Sequence, residues 1–300
     1  MKSIRYFLLI LVLQGCSFLD TKSYKDQTER LNSLSVKNKI IAEDLVNFIK
    51  NSDERYFTRS NIINKGVQSN QNFTTITEYS DFDVRVSRGD QIEKIGRMIS
   101  EGKLTSPGRG EKRKLVWGRF YSIDVHPKTP LVGMLHATLV LQFFEDGSIV
   151  TGGWLDVMPG TRVEEDMSYL KKVTDEFFEK NQASPDLYRR LVCKGTEETI
   201  ATFRRKPSCS GVSFYGPPVF RESGEQSYHF IKGMFEEFVD AYFDTVEKRI
   251  NEPYTENDII AQDLMRKSWL IDQLFSDPFA SKIVPFEVWG TANLPPEIKF

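Results

Sequence analysis

Three β-rich runs stand close together in this chain, Leu115 to Val125, Met134 to Phe144 and Ser148 to Asp156, and nothing else in the sequence constrains the fold as much. They are rich in β-branched and aromatic residues, which suit a pleated, half-buried surface. Glu145-Asp146-Gly147 joins the last two as a hairpin turn. The first connection, through Pro127 and Pro130, is longer. After Pro159 the apolar period changes from two to that of a helix. Helices are expected from Glu164 to Lys180, from Pro185 to Arg205, from Gln226 to Ile250 and from Glu256 to Phe275. The first of these carries acids in its opening turn, where the helix dipole favours them. Strands followed by helices predict an α+β fold, a large antiparallel sheet flanked by helices.

Upstream, apolar residues at helical spacing from Leu31 to Ile49 predict an amphipathic helix over Thr28 to Lys50, stopped by Asn51-Ser52-Asp53. Residues 57–72 give no clear period. Phe73 to Tyr79 reads as a strand, Asp81 to Ile99 as a hairpin around Arg88-Gly89-Asp90, and 101–113 as a loop. Cys209 to Phe214 reads as a short strand and Pro285 to Gly290 as a last one. Phe230, Met234, Phe238 and Tyr242 form an aromatic stripe that belongs in the core. No repeat interrupts residues 28–300, which read as one domain.

Basic and acidic residues nearly balance, 40 against 42, so bulk nucleic-acid binding is not expected. The run Arg109 to Lys114 is either a solvated loop or a clamp for an anionic ligand. At the N-terminus, Lys2 and Arg5 precede an apolar stretch, Tyr6 to Leu13, too short to span a bilayer. Leu13-Gln14-Gly15-Cys16 follows. It resembles a bacterial lipobox, which implies a signal peptide over 1–15, lipid on Cys16, a tether over 16–27 and attachment to a membrane through the lipid alone. Ser17 stands where an aspartate would signal inner-membrane retention, so the expected address is the cell envelope, with the outer membrane favoured. Cys193 and Cys209 would then lie where a disulfide persists. The sequence leaves open whether they pair. No Cys/His spacing suits a zinc site, and no metal is expected.

Two of the three histidines, His126 and His136, fall in the β-rich region. His136 opens one arm of the hairpin and Asp156 closes the other, so antiparallel pairing brings them near each other. With His126 just before a connecting loop, the three can line one cleft. Imidazole and carboxylate are a workable acid–base set near neutrality.

The order of several motifs resembles the oxygen-dependent coproporphyrinogen III oxidases. Ser122 and His126-Pro127, His136-Ala137, Gly152-Gly153 and Asp156 match that family's site segment, which runs Ser-x-x-x-His-Pro, then His-Ala-Asn-x-Arg, then Gly-Gly-Gly-x-Asp. Glu164-Glu165-Asp166, Asp240-Ala241-Tyr242, Val246-Glu247, Arg249 and Leu294-Pro295-Pro296 match further motifs. The resemblance implies oxidative decarboxylation of two propionates of coproporphyrinogen III to vinyls, with molecular oxygen as co-substrate, no other cofactor, and a homodimer. It assigns proton donation to His136 and contact with the pyrroles to Asp156, with Ser122, His126 and Thr138 as substrate-binding positions. The departures are as informative. The family's arginine falls at Val140, its asparagine at Thr138, its third glycine within Trp154-Leu155, and a further histidine at Tyr169. An acidic motif is replaced by Gly211 to Gly216, and a late Gly-Gly-Arg segment falls in Lys282 to Phe286 without its arginine. A tetracarboxylate needs cations, which arginine supplies bidentately. The expectation is therefore a tetrapyrrole-binding protein, of porphyrin or haem, or one with an envelope partner, in which catalysis has degenerated. The alternative is an active oxidase. Arg109 to Lys114, Arg119 or Arg162 are the candidate replacement cations.

If Cys16 carries the lipid, Cys16→Ala moves the protein from the detergent phase to the aqueous phase in Triton X-114 partitioning; unchanged partitioning would overturn the anchor.

Overall fold

The computed structural model describes residues 28–105, 111–194, 206–275 and 283–299. The signal peptide, Cys16 and the tether, Arg109, the helix end expected at 195–205 and Lys282 lie outside the described residues. Seven antiparallel strands pair in chain order, β1 (Gln68–Ile76), β2 (Ser80–Gly89), β3 (Ile92–Gly102), β4 (Leu115–Pro127), β5 (Met134–Phe144), β6 (Ile149–Met158) and β7 (Val212–Ser213). The helices are α1 (Val36–Ile63), α2 (Glu164–Lys180), α3 (Asp186–Lys194), α4 (Gly224–Arg249), α5 (Glu256–Phe275) and α6 (Phe286–Ala292). The α+β architecture expected from the chain's order of periods is the one observed.

Strand alternation divides the sheet into two faces. Odd-numbered residues of the central strands, among them Tyr121, Ile123, Leu139, Leu155 and Val157, enter the main core with α1, α2 and α4. Phe235 of α4 sits at its centre, 5.5 Å from the Tyr121 ring and 5.6 Å from Phe48 of α1. Even-numbered residues face the other way. Phe82, Val84, Val86 and Met98 meet Val288 and Ala292 of α6. Met134 and Met158 meet Met265 and Trp269 of α5. Between these two small clusters the described residues leave a cleft on the even face.

Three expectations are corrected. The first helix does not stop at Asn51-Ser52-Asp53, because α1 runs through it to Ile63. Asp53 is buried there, accepting from Arg97 Nε at 2.8 Å and from the Tyr121 hydroxyl at 3.3 Å. A tertiary ion pair satisfies what reads locally as a stop signal. Residues 57–63, which gave no clear period, belong to the same helix. Pro285 to Gly290 is helix, not strand: Val288, Trp289 and Ala292 are buried on one side of a short helix. Gly96 allows its close approach, since a β-carbon on that residue would overlap the Ala292 carbonyl. The strand expected over Cys209 to Phe214 pairs only through Val212 and Ser213.

Cys193 and Cys209 form a disulfide with Cα atoms 5.5 Å apart, tying α3 to the segment before β7. Arg249 of α4 binds Asp166 of α2 with two donors, each at 2.8 Å. No helix among the described residues is long and apolar enough to cross a membrane.

Phe235→Ala is expected to cost about 3–5 kcal/mol, and Cys209→Ser about 3 kcal/mol through loss of the loop constraint. Urea midpoints under oxidising conditions measure both. A midpoint shift confined to Phe235→Ala would mean that the disulfide adds nothing.

Candidate functional site

The open part of the even face is a cleft of about 780 Å³. Its floor is the sheet: Met98, Ser100, Phe120, His136, Thr138, Val140, Gln142 and Trp154 line it. Tyr215 closes one side and Trp289 and Asn293 another.

Register explains which acids His136 meets. It is paired across β4–β5 with Asp124 and across β5–β6 with Asp156. Directly opposed residues on one face lie close enough for side chains to interact. His136 makes its contact with Asp124, where Nδ1 stands 2.7 Å from Oδ1. Asp124 is fully buried, and its Oδ2 accepts from the Asn293 amide, which also reaches Ser122 Oγ at 3.5 Å. Trp269 meets the His136 ring edge-on, with centroids 5.5 Å apart. The imidazole is thus held from one side by a carboxylate and from another by an indole.

Asp156 does not line the cleft. Its carboxylate turns to the chain before β7, accepting from Ser208 Oγ at 2.5 Å, Cys209 N at 2.9 Å and Gly211 N at 3.1 Å. Burial pushes its pKa up while these donors pull it down, and burial wins. In this position Asp156 organises the 208–211 turn beside the disulfide. His126 is enclosed one register step away, opposite Lys94. Burial, with Lys94, Arg266 and Arg88 nearby, depresses its pKa well below the usual histidine range, so it is neutral. Ser122 is buried beneath Asn293. Thr138 does line the cleft; its hydroxyl lies 3.0 Å from the Tyr215 hydroxyl and accepts from Trp154 N at 2.8 Å.

Among the described residues, none of the expected replacement cations stands at an even-numbered floor position. Arg119 borders the cleft, but it is odd-numbered and its guanidinium is bound to Glu101. Glu101 also takes Arg30 at 3.0 Å. Arg113 is spent on Glu111 (Nε to Oε1, 2.9 Å) and lies 4.2 Å above the Phe144 ring. Arg162 pairs with Glu164 at 3.2 Å. Among the described residues, no lysine or arginine side chain occupies an even-numbered floor position. Val140 stands on that floor where the resemblance sets an arginine, and Ile283 and Val284 line the cleft at the late segment. Tyr169 is outside it, on α2, with its hydroxyl 3.4 Å from Asp244.

Residues 43–277 match the family described as coproporphyrinogen III oxidase. The chain belongs to the coproporphyrinogen III oxidase family. The cleft of this chain combines His136 with a floor of mixed polar and apolar side chains, Phe120 and Trp154 among them. Two residues that matter to this site drew no notice in the sequence. Asp124 fell in an unspecified position between Ser122 and His126, although its even number and its register with His136 were the available signal. Asn293 gave no local signal, because only the approach of the chain after α6 brings it to Asp124.

Lys94 completes the neighbourhood. It is fully buried, and its Nζ donates to the Thr291 carbonyl at 3.1 Å and to the Leu294 carbonyl. Burial is the largest influence and pushes its pKa down to about 7, against a smaller upward pull from Asp124 and a further downward push from Arg88. From about pH 7 to 10 the unfolded chain therefore holds a proton that the folded chain has released. Stability should rise with pH there, by up to about 1.4 kcal/mol per unit, and level off below. Urea unfolding across pH 6 to 9 should show this slope, and Lys94→Met should flatten it. An equal slope in both proteins would refute the assignment.

Proposed function

We propose that this protein is a lipid-anchored envelope member of the family whose cleft binds a tetrapyrrole with few carboxylates, and that it no longer carries out efficient oxidation of coproporphyrinogen III. The absence of a basic side chain from the even-numbered floor positions, with Arg119 at the cleft border already bound to Glu101, carries this reading. Coproporphyrinogen III bears four carboxylates, and burying them without cationic partners costs several kcal/mol. Loose positioning of the reacting propionate would cost rate as well, since near-attack geometry supplies much of the acceleration. The cleft offers aromatic surface instead, from Phe120, Trp154, Tyr215 and Trp289, which suits a flat macrocycle. The lipobox resemblance at Cys16 and the serine after it support the outer membrane as the address. An envelope protein partner and a homodimer belong to the same proposal.

The His136–Asp124 pair favours a second reading. An imidazole backed by a buried carboxylate is a competent acid–base group. On that reading the protein converts coproporphyrinogen III to protoporphyrinogen IX with molecular oxygen and no added cofactor.

One experiment separates them. Coproporphyrinogen III is added anaerobically to the full-length chain in detergent, oxygen is admitted, and products are resolved by chromatography. Binding without turnover is expected, with protoporphyrin IX bound more tightly than coproporphyrin III. Val140→Arg should strengthen coproporphyrin III binding by about tenfold or more, the worth of one charge-assisted contact. Protoporphyrinogen formed by the unsubstituted chain and lost in His136→Ala would establish the oxidase.

A further inference from the structure

His136 differs from an ordinary core histidine in what its two nitrogens do. Nδ1 faces Asp124 at 2.7 Å, and the ring lines the cleft. Nε2 makes no hydrogen bond to a described residue. Asp124 is itself fixed, with Oδ1 on the imidazole and Oδ2 on the Asn293 amide. Asn293 is held in turn by the chain around it, for the carbonyls of Thr291 and Leu294 both accept from the buried Lys94. A carboxylate on Nδ1 keeps the proton there, leaves the lone pair on Nε2 and strengthens that nitrogen as a donor. This is how proteins prepare an imidazole to ligate a metal.

The surroundings decide what form the metal takes. Among the described residues no group of three or more His, Cys, Asp or Glu gathers to hold a bare ion. One imidazole does not compete with water for such an ion. It does hold an ion that brings four equatorial donors of its own, and a metalloporphyrin is that kind of ligand. The cleft has the size and the flat aromatic walls for a macrocycle.

We propose that His136 Nε2 is the axial ligand of an iron porphyrin bound in this cleft, with Asp124 as the positioning residue behind it and Asn293 fixing Asp124. This rests on the tetrapyrrole reading above and adds the iron and its ligand. Asp124 occupies one of the unspecified positions of the Ser-x-x-x-His segment that the chain resembles, so the pair is read from the contact itself.

The test titrates the full-length chain with ferric haem and, separately, with iron-free protoporphyrin IX, read by absorption and electron paramagnetic resonance. Haem is expected to bind tighter, with a histidine-ligated spectrum. His136→Ala should lose that spectrum and bring haem affinity down by about 100-fold, towards that of the iron-free ring. Imidazole added to His136→Gly should restore the spectrum. Asp124→Asn should keep the ligation, weaken haem binding by about 10–100-fold, and lower the iron–imidazole stretching frequency in resonance Raman spectra of the ferrous form. A merely structural aspartate would leave that frequency unchanged. In the unsubstituted protein the same band reads the ligation directly, so a variant that fails to fold does not shelter the inference. Equal affinity for haem and the iron-free ring, or a haem spectrum indifferent to His136→Ala, would overturn the ligation and leave the tetrapyrrole reading standing. Binding of neither ring would overturn both.

Discussion

The two-residue repeat of the central strands governs this molecule. Each step along β4, β5 or β6 moves a side chain from one face of the sheet to the other, and the two faces have different fates. The odd face is closed by α1, α2 and α4 around Phe235. Among the described residues, the even face is covered at its margins, by α6 over β2 and β3 and by α5 over the end of β5. Parity therefore decides which residues are core and which are cleft. It turns Arg119 to Glu101 at the cleft border, and sets His136, Thr138, Val140 and Gln142 on the cleft floor. A shift of one residue would exchange the two sets.

Register then selects within the even face. Asp124, His136 and Asp156 lie in one row across three strands. Either carboxylate is near enough to serve the imidazole, and the outer segments settle the choice. The Ser208–Gly211 turn surrounds Asp156 with donors and draws it away from the cleft. The chain after α6 brings Asn293 onto Asp124 and leaves its other oxygen to His136. That approach depends on two central-sheet residues of opposite character: Gly96, which gives α6 room, and Lys94, which holds the carbonyls of the following turn.

The motifs that carry the family resemblance prove, on inspection of their contacts, to be largely architectural. Asp166 and Arg249, from two separate motifs, meet as one bidentate ion pair between α2 and α4. Tyr242 hydrogen-bonds the Gly133 carbonyl at 2.9 Å beneath the loop that follows β4. Leu294, before its paired prolines, gives its carbonyl to Lys94. Such contacts join helices, sheet and loops to one another, and their side chains do not line the cleft. Val140 and Trp154, two of the positions at which the sequence departs from the motifs it resembles, line the cleft itself.

The sequence by itself determined the layered architecture, since apolar period and turn chemistry are local properties. The hairpin at Glu145–Gly147 and the helices between Glu164 and Phe275 were legible for that reason, as was the adjacency of His136 and Asp156, which follows from hairpin pairing alone. The helix through Asn51-Ser52-Asp53 was not legible, because a buried partner at Arg97 overrides a local stop signal. Nor was the helix at Phe286–Ala292, which is too short to show a period and is fixed by packing on β2 and β3. The partner of His136 also depended on tertiary structure. Pairing offers two carboxylates at equal rank, and only Asn293 and the turn at Ser208, distant in the chain, divide their roles between a cleft and a buried turn.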